Sequence, residues 1–357
     1  MSDRGERLLV LLAEAQIDLL LVSGLVNVRY LTGYTGSNGL AVVGPQTRVF
    51  VTDFRYVEQA REEVDSRYDR RQEANDLMRA LPEVLPPGSI RLGFDDAQLS
   101  VRQHAELREL LPERIELVAA GGLVERLRAI KDAGEVEQIR AASAAADAAL
   151  TELLAAGLAG RSERELAGAL TAAMRAQGAQ DVSFAPIVAA GAHGALPHAH
   201  PRDVAVAPGQ LVVIDWGAEL DGYCSDCTRT LAVGEPDGRA REIYALVLAA
   251  QRAGLEAVRA GAGGRAVDAT ARAVIDAAGH GGHFGHGLGH GVGLEVHEAP
   301  RLSKRSDDEL AAGHVVTVEP GVYLPGELGV RIEDLVVVTD TGNEILSGLD
   351  TQLTIVG

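Results

Sequence analysis

Between residues 285 and 293 every second residue is a glycine. Glycine at this density breaks a helix, because its backbone is the most costly to order. We therefore expect an extended segment with one bare face that another backbone can approach closely. The other face carries His286, Leu288 and His290, and His297 follows a few residues later. A single histidine here would be explained as a hydrogen-bonded structural residue, but several in one glycine-rich stretch favour a metal or catalytic role.

Two aspartates flank a predicted β-hairpin whose turn is Leu220–Gly222. Asp215 ends the apolar run LVVID, and Asp226 lies on the returning strand. A buried carboxylate is costly unless a partner neutralises it, and two like charges in one core require a cation between them. The alternative is that both aspartates are solvent-exposed turn residues, and the hairpin alone does not decide between these interpretations.

Two glutamates lie in apolar, strand-like settings near the end of the chain. Glu319 ends the run VVTVE, and Glu333 lies within GVRIEDLVVV. Either one alone could be explained by an ion pair with Arg331 or a nearby histidine. Together with the two aspartates and one imidazole, however, they would balance two divalent cations. This oxygen-rich donor set favours manganese, with cobalt, iron or zinc as alternatives.

Cys224 and Cys227 form a C-x-x-C pair that could indicate a redox site or half of a zinc site. On a strand, positions three apart point to opposite faces with Cα atoms roughly 10 Å apart, which is too far for a disulfide. No second C-x-x-C occurs in the sequence. We therefore reject both the redox and the zinc–cysteine interpretations.

Composition and charge limit the possible partners. The formal net charge of −18 disfavours binding to nucleic acid or to an anionic membrane surface. The apolar stretches near the start are too short to span a bilayer, and no basic-then-apolar segment resembles a signal peptide. With only two cysteines, these features predict a cytoplasmic protein.

The length of 357 residues favours two domains. Residues 1–125 alternate helix-like and strand-like segments, which predicts an α/β domain. Residues 123–157 read as a linker and the opening helix of a second domain at 126–357, followed by a helix that begins with the capping box Ser162–Glu165 and ends at Gly178. Strands after Pro208, helices at 238–278 and two further strands complete this α+β domain.

Several motifs together resemble one known family. DWGAELDGYCSDCTRT, GHGVGLEVHE, VEPGVY and RIED occur in the order found in metallopeptidases of the pita-bread (aminopeptidase) fold, in the branch of Xaa-Pro dipeptidases (prolidases) and Xaa-Pro aminopeptidases. VRYLTGYTGSNG is similar to their creatinase-like N-terminal domain, and LRAIKDAGEVEQIRAA to the junction before the catalytic domain. The resemblance covers nearly the whole chain and implies an α/β creatinase-like domain followed by a pita-bread catalytic domain.

The resemblance also implies roles for individual residues. The five positions that match the family's metal ligands are Asp215, Asp226, His290, Glu319 and Glu333. Among these, Asp226 and Glu333 are expected to bridge two cations that hold a hydroxide, and Glu319 to act also as the general acid–base group. His198 and His297 match the histidines that stabilise the developing oxyanion.

Further residues are expected to support the substrate. His286 matches an additional active-site histidine, and Tyr323 and Arg331 are expected substrate contacts, since a guanidinium pairs well with a dipeptide's terminal carboxylate. His193 and His200 match no family position. Phe184 occupies a place where relatives carry an aromatic near the substrate, although a role in the core explains it equally.

The resemblance implies a substrate and leaves some choices open. A small peptide with proline in the second position is expected, with dipeptides favoured; an Xaa-Pro aminopeptidase acting on longer peptides is the alternative. A catalytically silent paralogue would have lost ligands, a creatine-hydrolysing relative would lack this ligand set, and a methionine aminopeptidase would lack the N-terminal domain. Relatives of this kind lead us to expect a homodimer.

Overall fold

The computed structural model describes residues 4–74 and 76–356 of the chain. Contacts between residues divide it into two compact units, Met1–Arg128 and Ala129–Gly357. The domain limits inferred from the sequence, 1–125 and 126–357, stay a prediction. Among the described residues, no helix combines the length and the apolar character needed to cross a bilayer.

The first unit is an α/β domain built on a six-stranded mixed sheet. Its strands are β1 Leu19–Val22, β2 Leu40–Gly44, β3 Thr47–Thr52, β4 Asp69–Gln72, β5 Ile90–Phe94 and β6 Ile115–Ala119, in the spatial order β4-β3-β2-β1-β5-β6. Its helices are α1 Arg4–Glu14, α2 Leu25–Thr32, α3 Val57–Glu63, α4 Leu81–Val84, α5 Val101–Leu110 and α6 Leu123–Ala129. The central strand β1 is buried along its whole length, as its unbroken apolar run predicts.

Three of the four described helices of the second unit begin after a residue whose side chain caps the helix. The four helices are α7 Ala133–Ala155, α8 Glu163–Ala176, α9 Gly238–Ala257 and α10 Gly264–Ala277. Ser162 and Glu165 form the predicted capping box of α8, and Gly178 after its end has a φ of 97°. The helix-rich stretch 123–157 is divided into α6 and α7, because Asp132 leaves helical geometry to cap α7 with Glu135.

The strands of the second unit form four small sheets. They are β7 Asp181–Val182, β8 Ile187–Ala190, β9 Leu211–Trp216, β10 Ala218–Leu220, β11 Tyr223–Cys224, β12 Cys227–Val233, β13 Gly289–Gly291, β14 Glu298–Leu302, β15 Val315–Val318, β16 Gly321–Leu324, β17 Leu328–Arg331, β18 Asp334–Val338, β19 Asn343–Ile345 and β20 Ile355–Val356. The sheet orders are β20-β12-β9-β8, β14-β13-β15-β18-β19, β11-β10-β7 and β16-β17. Apolar side chains of α9, α10 and the β15–β18 region fill its largest core.

The hairpin predicted around Leu220–Gly222 is present. Asp221 and Gly222 both have positive φ, 47° and 75°, which matches a turn that follows the right-handed twist of the strands. Beyond the hairpin, β9 and β12 pair in a register that sets Asp215 opposite Thr228. Because Asp226 lies two residues before Thr228, the register favours placing the two aspartates on the same face.

Close backbone approach explains two of the alternating glycines. A Cβ added to Gly289 would lie 1.9 Å from the Thr317 carbonyl oxygen, and one on Gly291 would lie 2.1 Å from that of Ala299. Neither distance is possible for a real side chain. The predicted bare face is therefore confirmed: it lets β14 and β15 pack against both edges of β13.

The two long strands predicted near the end of the chain are each interrupted. Residues 314–324 divide into β15 and β16 at Glu319 and Pro320, because proline has no N–H to continue a ladder. Residues 329–339 divide into β17 and β18 at Ile332 and Glu333. Each interruption occurs at a glutamate that lines the pocket described below.

Candidate active site

The interrupted strands, the hairpin and the glycine-rich segment converge on one site in the second unit. Asp226, His290 and Glu333 are buried, and each offers a ligand atom within 4.8 Å of the others. Oε1 of Glu319 lies 3.5 Å from Nε2 of His290, and Oδ2 of Asp226 lies 3.6 Å from the same nitrogen. Carboxylate oxygens therefore surround one face of a single imidazole.

Backbone geometry fixes which nitrogen of His290 faces the carboxylates as an acceptor. Its Nδ1 lies 3.0 Å from the carbonyl oxygen of Gly291, which can only accept a hydrogen bond, so Nδ1 carries the proton. Burial lowers the pKa of His290 to about 3, which keeps the ring neutral. The lone pair of Nε2 consequently points towards carboxylate oxygens, an arrangement that is unfavourable without a cation between them.

The carboxylates are held close together and away from water. Burial, followed by repulsion from Glu333 and Asp215, raises the pKa of Asp226 well above its usual range. Burial, followed by repulsion from Glu319 and Asp215, does the same to the pKa of Glu333. Burial raises the pKa of Glu319 to about 8. A divalent cation would offset both the lost solvation and the mutual repulsion.

Asp215 belongs to the same site but has a different immediate partner. Its Oδ2 accepts a hydrogen bond from Nη2 of Arg331 at 2.5 Å, while Oδ1 is buried without a hydrogen-bond partner among the described residues. Besides burial, the charge of Asp215 raises the pKa of Asp226, Glu319 and Glu333, so its unpartnered buried oxygen fits a cation ligand. The donor set therefore fits hard divalent cations, with oxygen atoms in excess and one neutral imidazole nitrogen.

A hydrogen-bonded chain connects Asp215 to His286. Nη1 of Arg331 donates to Oη of Tyr323 at 2.9 Å, and Oη lies 2.9 Å from Nε2 of His286. Nδ1 of His286 lies 2.8 Å from the Gly287 carbonyl, so it carries the proton and Nε2 accepts from the tyrosine. Burial lowers the pKa of His286 to about 4 and keeps the imidazole neutral.

Arg331 also reaches the opposite side of the site. Its Nε donates to Oγ1 of Thr228 at 2.9 Å, and that hydroxyl donates to Oε2 of Glu333 at 2.7 Å. With Asp215 and Tyr323 also bound, the guanidinium is fully engaged by the protein and is only 3% exposed. The predicted substrate contacts of Arg331 and Tyr323 stay predictions; in this structure the pair orients Asp215 and His286.

The site opens into a cavity of about 490 Å³, a size that suits a small peptide. His198 and His297 line it together with the acidic cluster, and the ring of His297 lies 4.4 Å from that of His290. Burial lowers the pKa of His297. Much of the remaining wall is apolar, and it is formed by Phe184, Ala185, Pro186, Ile187, Pro197, Ala199 and Pro201.

All five residues predicted as metal ligands line this cavity, as do His198, His286, His297 and Arg331. Tyr323 lies behind it and is reached through His286 and Arg331. The two cysteines are free and buried, and they pack into different apolar clusters. Cys224 ends β11 and Cys227 begins β12, so they do not lie on one continuous strand as the sequence argument assumed. Their places in different clusters still favour rejecting the redox and zinc–cysteine interpretations.

Sequence reasoning missed Arg301 and set His200 aside because it matches no family position, yet both residues line the cavity. Arg301 is exposed, and within the described residues no hydrogen bond from its guanidinium to a protein acceptor is present. Arg301 lies in β14, just after His297, and belongs to no recognisable motif of its own. Only alternation along β14, which turns Ala299 and Arg301 to the exposed side, could have indicated it.

Models of known protein families match both units of the chain. The model of metallopeptidase family M24 matches residues 137–340, and that of the creatinase/prolidase N-terminal domain matches residues 4–130. The uncharacterized peptidase YqhT of Bacillus subtilis is 41% identical over 351 residues, which cover 98% of this chain and 99% of YqhT.

Solved structures resemble the chain along nearly its whole length. An Xaa-Pro dipeptidase from Bacillus anthracis has a TM-score of 0.93 at 40% identity and covers 99% of both chains. The X-Pro aminopeptidase from Thermotoga maritima has a TM-score of 0.91 at 36% identity and covers 99% of this chain and 100% of its own.

Proposed function

The chain belongs to metallopeptidase family M24, with a creatinase/prolidase N-terminal domain ahead of a pita-bread catalytic domain, and from that premise we propose that it hydrolyses the Xaa-Pro bond of dipeptides. Membership of the family makes it a peptidase. The proposal concerns the substrate, the metal centre and the residue roles.

The observation that carries the proposal is that the cavity is lined both by the acidic cluster and by a set of apolar side chains. Asp226, His290 and Glu333 belong to the acidic cluster, where a scissile amide would be polarised. An Xaa-Pro amide has no N–H to satisfy, and its ring is compact and apolar. A wall of prolines, alanines and one phenylalanine therefore suits the proline ring without leaving a buried donor unpaired.

We assign the five predicted ligands to two divalent cations, manganese being preferred. The unpartnered oxygen of Asp215 and the Nε2 lone pair of His290 support this assignment. When bound, such cations would lower the pKa of a water molecule and polarise the peptide carbonyl. The fully engaged Arg331 would hold Asp215 in one orientation throughout.

Three residues are proposed to move or hold protons. Burial raises the pKa of Glu319 to about 8, and a cation bound beside it would favour the ionised carboxylate, which would accept a proton from the attacking water and return it to the leaving nitrogen. His297 and His198 would donate hydrogen bonds to the carbonyl oxygen as it gains negative charge.

Arg301 supports the preference for dipeptides. In a dipeptide the terminal carboxylate follows directly after the proline, so a cation in the cavity can pair with it. Of the two arginines that line the cavity, Arg331 is engaged by Asp215, whereas Arg301 is exposed with its guanidinium available. Longer peptides would place a neutral amide at the same position and lose this ion pair.

An Xaa-Pro aminopeptidase is the second candidate. The likeness to the Thermotoga maritima X-Pro aminopeptidase, at a TM-score of 0.91, favours it almost as strongly as the dipeptidase likeness favours the first. The homodimer and the cytoplasmic location expected from the sequence stay predictions.

Hydrolysis of Leu-Pro beside Leu-Pro-Pro-Ala tests the proposal, with purified protein after chelation and again after addition of manganese. Cleavage of the dipeptide alone, restored by the metal, would support the dipeptidase. Cleavage of the longer peptide at its first bond would establish the aminopeptidase instead. If neither peptide is cleaved by metal-loaded protein, the proposed substrate class is wrong.

Arg301→Gln tests the basis of the dipeptide preference. We expect KM for Leu-Pro to rise by about tenfold or more, since a charge-assisted bond to the carboxylate is lost, with KM for Leu-Pro-amide unchanged. Arg252→Gln, on the exposed side of α9, is the control. Equal effects of Arg301→Gln on the acid and the amide would contradict carboxylate recognition.

A further inference from the structure

Glu163 is a buried carboxylate outside the cavity whose ionised form is unusually well satisfied. Its side chain has no solvent exposure, although it is the first residue of α8. The start of α8 is already capped by Ser162 and Glu165. The backbone N–H of Ser162 donates to the Glu165 carboxylate, and the backbone N–H of Glu165 donates to the Ser162 hydroxyl. Capping therefore does not explain why a charge is buried at position 163.

The carboxylate instead binds both ends of one loop, residues 191–201. At the near end, Oε1 accepts the backbone N–H of Ala190 at 3.0 Å, and Nδ1 of His193 lies 2.9 Å from Oε2. At the far end, Oε2 accepts the backbone N–H of Arg202 at 2.9 Å. The guanidinium of Arg202 adds bonds from Nε at 3.1 Å and Nη2 at 3.0 Å. The bonds from Arg202, Ala190 and His193 outweigh the effect of burial and lower the pKa of Glu163.

This loop carries one side of the cavity. Pro197, His198, Ala199, His200 and Pro201 all line it. One further tether lies within the loop, where the Pro197 carbonyl accepts a hydrogen bond from Nη1 of Arg331 at 3.1 Å. Glu163 itself does not line the cavity, so any effect it has on catalysis must pass through the loop.

We propose that Glu163 is a positioning residue, which closes the 191–201 loop at both ends and thereby holds His198 at the reacting carbonyl. This inference rests on the proposed function for the role of His198. Two sets of bonds hold the loop that carries this imidazole: Glu163 fixes the ends of the loop, and Arg331, itself bonded to Asp215, fixes its middle at Pro197. A displacement of about 1 Å in a catalytic group can lower the rate roughly a hundredfold. Holding the loop in place would therefore preserve the rate, which gives the buried carboxylate of Glu163 a functional reason.

The test compares Glu163→Gln in the wild-type and His198→Ala backgrounds. The amide cannot accept all of the donors that the carboxylate binds, so kcat for Leu-Pro is expected to fall about tenfold to a hundredfold. In the His198→Ala background the same substitution is expected to lower kcat by no more than about twofold, because the group that it positions is absent. A purely structural defect would lower kcat by the same factor in both backgrounds and would overturn the proposal.

Two further variants provide a substitute test and a matched control. Arg202→Gln removes only the guanidinium bonds of a half-exposed residue to Glu163. It therefore tests the same attachment of the loop if Glu163→Gln does not fold. It is expected to lower kcat in the same direction by a smaller factor. Arg164→Gln breaks an exposed ion pair with Asp203 beside the clamp and is the matched control, with kcat unchanged.

An activity-free measurement separates this inference from the proposed function. Hydrogen exchange of the Ala190 and Arg202 amides, which the carboxylate binds, is expected to accelerate in Glu163→Gln. If the exchange rates of these two amides are unchanged, the proposal that Glu163 holds the ends of the loop is wrong, whatever the kinetic results are. If the wild type cleaves no Xaa-Pro peptide, the proposed function fails, and the exchange result alone then decides whether Glu163 holds the loop.

Discussion

A buried ion pair beside His297 gives the sharpest prediction for stability. Nζ of Lys131 lies 2.9 Å from Oε2 of Glu298, and the two side chains are only 1% and 6% exposed. Glu298 directly follows His297 in the chain, and its other oxygen accepts the backbone N–H of Glu295. The perturbation is Lys131→Met, which keeps most of the apolar side chain and removes its charge.

The expected loss follows from the burial of the partner. Removing one member of a buried pair takes away a charge that offsets its partner's lost solvation, and it costs about 3–5 kcal/mol of the free energy of unfolding. Arg175→Met is the matched control, because Arg175 and Asp181 are also 2.9 Å apart but are 56% and 55% exposed. That pair should contribute less than about 1 kcal/mol. The double variant Lys131→Met/Glu298→Gln should recover about half or more of the loss, since both charges of the pair are then removed from the core.

The assay is urea unfolding followed by tryptophan fluorescence in the presence of a chelator. Trp216 is the only tryptophan of the sequence and is fully buried in the second unit, so its signal reports on the unit that holds the pair. The chelator removes stabilisation by bound metal. A loss for Lys131→Met no larger than that for Arg175→Met would refute the argument. A double variant as unstable as the single one would show that packing, not charge, sets the cost.

Three further predictions concern the site and its surroundings. Asp226→Asn should abolish metal-dependent activity and the thermal shift caused by manganese. The metal-free variant should be at least as stable as the wild type, because the substitution relieves repulsion among the carboxylates. Full activity with unchanged metal content would contradict the assigned ligands. His297→Ala should lower kcat by about a hundredfold or more with little change in metal affinity, as measured by titration, and an equal loss of both would make it a ligand instead. Burial lowers the pKa of His314 to about 4, so the folded protein resists protonation of this ring and its stability falls as the pH decreases from 6.5 towards 4. His314→Asn can still accept the Ala311 N–H, and its urea midpoint should fall less over this pH range. An equal fall in the variant and the wild type would refute this source of acid sensitivity.

Local chemistry made much of the second unit predictable. The capping box at Ser162, the positive-φ turn at Asp221 and Gly222, and the bare face of the glycine-rich segment each depend on residues within a few positions of one another. Carboxylates inside apolar runs indicated where ligands would be needed, and the family resemblance supplied the order in which to combine them. The structure brings those residues to one cavity.

Long-range pairing explains what could not be predicted. Arg331 reads as a free cation in its own strand, but its partner Asp215 is 116 residues earlier in the chain. The partner of Lys131 is 167 residues later. Interruption of the strand at Glu333 likewise depends on its backbone N–H, which binds the carbonyl of Thr228 in a different sheet. No local pattern contains these partners, so sequence reasoning could propose the ligands but not the residues that orient them.

Glu333 and Asp334 show why burial of a carboxylate does not by itself identify a ligand. They are adjacent in one apolar segment and are equally buried, at 2% exposure each. Asp334 is neutralised internally, by Nη2 of Arg229 at 2.7 Å and Nε2 of Gln251 at 2.6 Å. Glu333 instead faces other acidic groups, which raise its pKa together with burial. Since successive side chains point to opposite faces, one residue stabilises the fold and its neighbour faces the cavity. Between these two neighbours the distinguishing feature is the sign of the nearest charge: Glu333 lies beside other carboxylates and requires a cation, whereas Asp334 is paired with Arg229 and does not.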